Sequence, residues 1–323
     1  MLLIQSASTK PAFNLAAEEY LFRNFEDDIF FLYINSPSVV VGKHQNALAE
    51  INPAFIKQKG AAVIRRLSGG GAVYHDLGNL NFSFHQTVAD TAKVSFKKFN
   101  TPIVEALQQM GIAAQVGKRN DIFVKEFKVS GHAEHVFRKR VLSHGTLLFD
   151  AEKTALSEAL KNPSFNNFEG KAIQSVRSKV ANIVDFMENP ISIGQFTEEI
   201  SQHILNTFNG ARNYELSNAD NAEIEKLSDE KYSKWEWNFG YSPKYRFEKT
   251  IVNRNLETTV SFEVEKGIIT EISIKQNGSS TEQTGAIQIL LLNCPHEFYK
   301  IEKRLIAACI KEQARDSVLS CLF

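Results

Sequence analysis

Arg65, Arg66, Leu67, Ser68, Gly69, Gly70, Gly71, Ala72, Val73, Tyr74, His75 and Asp76 stand in one unbroken run, behind the apolar, strand-like residues 61–64. Glycine lets a backbone approach a ligand closely and present its N–H groups, with no Cβ in the way. The paired arginines add fixed positive charge and planar, forked donors suited to carboxylate or phosphate. The combination suits an anionic ligand. It is equally the signature of a hairpin turn between strands, and it lacks both the Gly-Lys-Ser/Thr ending of a P-loop and the spacing of a dinucleotide fingerprint.

Further segments carry chemistry downstream. Arg119-Asn120-Asp121 places polar side chains just before a strand, and Lys128-Val129-Ser130-Gly131 puts a lysine at a strand end. His144-Gly145-Thr146 enters the next strand, and residues 175–182 form a hydroxyl- and cation-rich loop. Each has a structural reading too. Lys128 can be a solvated edge charge, His75 and His144 satisfied core histidines, Asn120-Asp121 a turn, and Arg177 with Lys179 an exposed loop. Residues 14–21 read as an amphipathic structural helix packed on a sheet, while Gly42 and Gln45 shape a turn or a pocket wall.

The elements that must position these groups are short strands alternating with helices up to about residue 235. Asn52 as N-cap, Pro53 at the first helical position and Gly60 as the stop bound one helix. Ser192 and Gln195 form a capping box ahead of residues 196–208, and a third helix ends near Met110 with Gly111 beyond it. Strands are predicted at 29–34, 39–41, 81–85 and 146–149. Residues 231–242, with both tryptophans, Trp235 and Trp237, mark a junction before two or three strands (245–252, 258–264, 268–274) and terminal helices. The 323 residues are 43% hydrophobic and balance 37 basic against 37 acidic side chains. A sizeable core is therefore expected, and binding of nucleic acid through bulk charge is disfavoured. The three cysteines, Cys294, Cys309 and Cys321, lack metal-ligand spacing and fit a reducing compartment. No apolar stretch approaches the roughly 20 residues of a membrane span, so a cytoplasmic protein is expected.

In order and spacing, residues 14–21 (NLAAEEYL), 42–46 (GKHQN), 65–79 (RRLSGGGAVYHDLGN), 119–121 (RND), 128–133 (KVSGHA), 144–148 (HGTLL) and 175–182 (SVRSKVAN) strongly resemble the lipoate–protein ligase A family, part of the biotin/lipoyl protein ligase group. The block opening Trp237-Asn238-Phe239-Gly240-Tyr241-Ser242-Pro243 resembles that family's accessory domain. The resemblance implies an α+β (mixed α/β) fold: a large catalytic domain, 1–240, of mixed β-sheets flanked by helices, and a small α+β C-terminal accessory domain, 241–323. It implies that lipoate and ATP give lipoyl-AMP and pyrophosphate, with Mg²⁺ sharing the load and no permanently bound cofactor. The lipoyl group then passes to a lysine of acceptor lipoyl domains, in 2-oxoacid dehydrogenase complexes and the glycine cleavage H protein. A monomer that engages neither nucleic acid nor membrane is expected.

The resemblance also assigns residues. Lys128 is catalytic, touching both acyl carbonyl and phosphate. ATP and adenylate fall to Arg66, Gly71, Ala72, Val73, Tyr74, Asn120, Asp121, Lys128, Lys171, Ser175 and Arg177, with Asp121 a Mg²⁺ contact. Lipoate falls to Leu67, Ser68, Gly70, Val73, His75, Lys128 and His144. His132 and Glu134-His135 depart from the family pattern and bear on substrate and acceptor choice. One rival is an ATP-independent lipoyl or octanoyl transferase between carrier proteins. Such transferases use a cysteine thiolate, and this chain has no cysteine before Cys294. The other rival is a non-catalytic module that binds lipoyl domains or a nucleotide.

Overall fold

The computed structural model describes residues 1–91, 94–176, 178–253, 256–277, 280–310 and 312–323. A mixed six-stranded sheet runs in the order His132–Phe137, Arg140–Leu148, Asn79–Thr87, Ile29–Ile34, Leu2–Gln5, Arg212–Asn213. Its apolar faces carry the phenylalanine-rich core of Phe30, Phe82, Phe84 and Phe149, covered by the helices Lys97–Gln109 and Ile193–Thr207. A small second sheet sets Ser38–Val41 between the parallel strand Ala62–Arg65 and the antiparallel strand Val73–His75. A third joins Ala114–Val116, Ile122–Val124 and Phe127–Ser130. The architecture is α+β, with mixed sheets flanked by helices.

Local signals act where they stand in the chain. The helix Pro53–Lys59 starts at Asn52, whose side chain accepts from Phe55 N–H, and stops at Gly60 in the left-handed region. The Ser192–Gln195 capping box opens Ile193–Thr207, and Gly111, at φ 80°, follows the helix Lys97–Gln109. The expected amphipathic helix at 14–21 differs in kind. It runs Pro11–Asn24 and buries Asn14, Glu18 and Glu19 as well as its apolar residues. It lies between the sheet and the helical turns at 218–232, so polar side chains on both flanks meet protein groups instead of water. The strand expected at 146–149 is the end of a longer one, Arg140–Leu148, which forms a hairpin with His132–Phe137.

The junction is a tight package. Arg65 is fully buried, yet it is in no ion pair with a carboxylate among the described residues. Its guanidinium donates to the carbonyls of Gly42, Lys43, Gln45, Trp237 and Asn238 and to Ser242 Oγ. Its own carbonyl accepts from Trp237 Nε1–H. Beyond this junction three long strands, Tyr245–Asn253, Leu256–Glu265 and Ile268–Gln276, and the helices Glu282–Leu291, Phe298–Ala307 and Glu312–Leu322 close a core of their own. The fourth strand of that sheet, Phe168–Gly170, comes from the middle of the chain and pairs antiparallel with Tyr245–Asn253.

Candidate functional site

The glycine run is a loop and not a hairpin turn, because its flanking strands are not paired to each other. Ala62–Arg65 and Val73–His75 lie on opposite sides of Ser38–Val41. The loop is braced from below. Arg66 Nη2 donates to the carbonyls of Gly69 and Gly71, Nη1 to Val40 O, and Nε to Ser68 Oγ. Gly42 packs so closely that a Cβ there would lie 2.1 Å from Gly70 O. From above, Ser175 Oγ accepts from Ala72 N–H at 2.9 Å and from the Gln45 amide at 3.1 Å, and donates to the Glu50 carboxylate. Sequence reasoning missed Glu50, which burial pushes above the usual carboxylate range despite its bonds to Ser175.

The loop forms one wall of a cleft of about 720 Å³. Leu15, Tyr33, Val40 and Val73 make an apolar slot, while Arg66, Lys118, Arg119 and Lys128 bring cations against a single lining carboxylate, Asp121. For a chain with no net charge, that is a concentrated positive field. Lys128 sits on the strand Phe127–Ser130, with its N–H donating to Lys179 O and its carbonyl accepting from Ala181 N–H. Its ammonium lies 2.9 Å from Asp121 Oδ2, and Asp121 Oδ1 accepts from His132 N–H. The Lys128 side chain lies over Gly131, where a Cβ would be in ordinary contact with its Cε at 3.5 Å.

Two histidines face the slot in different states. Asn35 donates its side-chain amide to His75 Nδ1 at 3.0 Å, which places the proton on Nε2. That N–H is buried, lines the cleft and has no partner among the described residues. Burial and the nearby Arg66 charge depress the ring's pKa to about 3, so it is neutral at physiological pH. His144 bonds Ser68 Oγ through Nε2 at 2.6 Å and both oxygens of Glu18 through Nδ1 at 2.9 Å.

Of the expected site residues, Arg66, Gly70, Gly71, Ala72, Val73, His75, Asp121, Lys128, His144 and Ser175 line this cleft together. Leu67 and Ser68 are buried beneath the loop and off the lining. Tyr74, expected beside a nucleotide, points the other way. Successive strand residues alternate faces, so Val73 and His75 meet the cleft while Tyr74 packs with Val39, Val41 and Ala155. Asn120 turns its amide to Glu134. Lys171 is exposed and off the lining, and Arg177 lies outside the described residues. Lys118, Tyr33 and Asn81 join the lining without having been singled out, and Arg119, read in its segment but given no ligand, joins it too. Among the described residues no cluster of His, Cys, Asp or Glu has the makings of a metal centre, and no helix is long and apolar enough to cross a membrane.

Residues 10–205 match the model of the lipoyl protein ligase A/B catalytic domain. The chain is 41% identical over 303 residues to lipoate–protein ligase 1 of Staphylococcus aureus, covering 92% of this chain and 90% of that one. It is similar to the solved structure of P. falciparum LipL1 in complex with lipoate (25% identity, TM-score 0.63, covering 99% of this chain and 98% of that one). It is also similar to a lipoate–protein ligase A bound with ATP (30% identity, TM-score 0.63, covering 74% of this chain and 98% of that one).

Proposed function

Since the chain belongs to the lipoyl protein ligase A/B catalytic-domain family, we propose that its cleft is where lipoate and ATP become lipoyl-AMP and pyrophosphate, ahead of transfer to a protein lysine. The protein is a lipoate–protein ligase. The observation that carries the reading is a cleft whose lining joins the apolar residues Leu15, Tyr33, Val40 and Val73 to four cations set against one carboxylate. A medium-chain acid has that polarity pattern: an apolar tail to be desolvated and a carboxylate to be held near a triphosphate despite repulsion.

In the first half-reaction the lipoate carboxylate attacks the α-phosphorus and pyrophosphate leaves. The apolar slot takes the tail, and the His75 Nε2–H stands there as a buried donor with no partner among the described residues. Lys128 lies where it can bond the acyl carboxylate and an α-phosphate oxygen together, spreading the charge that develops between them. The amides of the glycine loop and Arg119 and Lys118 serve the remaining phosphate oxygens. Mg²⁺ enters with ATP as part of the substrate. Asp121 is the one lining carboxylate, and it already answers Lys128 and His132, so a cation of this kind would be carried mainly by phosphates and water. In the second half-reaction a neutral acceptor amine attacks the carbonyl of the mixed anhydride, the acyl C–O bond to phosphate breaks, AMP leaves and the amine gives up a proton to solvent, while the Lys128 ammonium faces the carbonyl oxygen that gains charge.

The proposal divides the chain into a catalytic part, 1–240, and an accessory part, 241–323, supported by the separate core after residue 244. The acceptors proposed are lipoyl domains of 2-oxoacid dehydrogenase complexes and the H protein, modified by a monomer in the cytoplasm. Incubating an apo lipoyl domain with enzyme, lipoate and ATP·Mg²⁺ tests this by mass spectrometry, alongside pyrophosphate release without acceptor. Lipoylation that needs no ATP would return the transferase reading.

A further inference from the structure

Glu18 stands on a helix whose face gave no chemical signal in sequence, and it is buried to 2% exposure. A buried carboxylate is costly unless its charge is answered. Tyr33 O–H donates to it at 3.4 Å, and the His144 ring meets both of its oxygens. The ring's other nitrogen lies 2.6 Å from Ser68 Oγ, and Ser68 Oγ lies 2.9 Å from Arg66 Nε.

Donor counting gives this chain a direction. Arg66 Nε can only donate, so Ser68 oxygen accepts there. The hydroxyl proton of Ser68 then goes to His144 Nε2, which leaves the ring proton on Nδ1, donated into Glu18. No other arrangement uses every proton of the four groups. At the far end the same guanidinium holds the carbonyls of Gly69 and Gly71. In a trans peptide the following N–H points opposite to the carbonyl, so Gly70 and Ala72 aim their N–H groups away from Arg66, and Ala72 N–H meets Ser175 on that side.

We propose that Glu18 is a positioning residue for adenylate formation: through His144, Ser68 and Arg66 it fixes the direction in which the glycine-loop amides point and supplies the countercharge of the buried guanidinium. The proposal rests on the reading that this loop receives the nucleotide phosphates. Glu18 itself touches no substrate and does not line the cleft.

The test compares wild type with Glu18→Gln and Glu18→Leu, and with Ser68→Ala as a cut in the same relay should the Glu18 variants fail to fold. Nitrogen-15 spectra of the histidine rings should show His144 protonated on Nδ1 in wild type and on Nε2 in Glu18→Leu, with the Gly70 and Ala72 amide signals displaced. Pyrophosphate release should lose about 10- to 100-fold in kcat, less than the roughly 10²–10³-fold for deleting a direct charge-stabilising donor. KM for ATP should rise while KM for lipoate stays within about threefold, a split that general loosening of the slot would not give. Unmoved Gly70 and Ala72 signals, or a loss confined to KM for lipoate, would overturn the proposal. Wild-type enzyme that releases no pyrophosphate, with the amide displacement still seen on going to Glu18→Leu, would overturn the nucleotide reading and leave the relay standing.

Discussion

Replacing Lys128 with alanine removes the ammonium that lies 2.9 Å from Asp121 Oδ2. It also strands that carboxylate on the wall of the cleft, so the Lys128–Asp121 pair changes from balanced to negative. At an effective dielectric constant near 20, a unit charge about 4 Å from a developing anion is worth roughly 4 kcal/mol. Deleting one such donor from a preorganised site costs about 10²–10³-fold in rate, or roughly 2.7–4 kcal/mol. The two figures agree, and the loss should appear as kcat in pyrophosphate release with lipoate and ATP·Mg²⁺. A second assay, transfer from supplied lipoyl-AMP to an apo lipoyl domain, should fall as well, because the same ammonium faces the carbonyl there. Folding should be little affected, since the strand is held by backbone bonds to Lys179 and Ala181. The pair Lys128→Ala with Asp121→Asn separates lost attraction from new repulsion: recovery of about tenfold in the double variant, near 1.4 kcal/mol, would measure the stranded carboxylate. Lys128→Ala at near wild-type rate in both assays would refute the assignment.

Gly42→Ala places a Cβ 2.1 Å from Gly70 O; the backbone must shift by about an ångström, so activity should fall about 100-fold, measured as pyrophosphate release beside a thermal melt. Glu50→Ala releases Ser175. KM for ATP should rise roughly 2- to 10-fold, the range for one net hydrogen bond, and limited proteolysis within residues 171–180 should speed up; unchanged cleavage would count against Glu50 holding Ser175 in place. Three buried rings, His75 and His132 at about 3 and His296 at about 4, titrate below the ordinary value near 6.5. The unfolded chain therefore binds more protons between about pH 3 and 6.5, so stability is full above pH 6.5 and falls on acidification, by up to about 1.4 kcal/mol per pH unit per ring. Urea midpoints at pH 7.5 and 5.0 check the sign, and equal midpoints would contradict it.

Signals carried by adjacent residues were legible in sequence. Asn52 and Gly60 bound their helix, and the Ser192–Gln195 box opens its own, because a cap acts within one turn. The cleft's lysine, aspartate and glycines were legible as ordered segments. Whatever depends on distant partners was not. The hairpin at residues 132–148 turns at Arg138-Lys139, with Arg138 at φ 56° and none of the usual Gly or Asn to announce it. Arg65 and Arg66 look alike in sequence, yet one is consumed by the carbonyls of two remote segments and the other by its own loop. Glu18 meets His144 across 126 residues, a pairing that helical periodicity cannot encode. The side chain of Tyr74 lies off the cleft for a simpler reason: alternation along its strand decides its face.

The strand Phe168–Gly170 has a consequence for how the chain is made. Its ladder partner begins at Tyr245, so during synthesis, at roughly 5–20 residues per second, it waits several seconds with one edge unanswered. Phe168 waits with it, because its ring belongs against Tyr245 and Phe247. A nascent or truncated polypeptide that stops at residue 240 would carry that sticky segment permanently, a natural target for chaperones and a seed for aggregation.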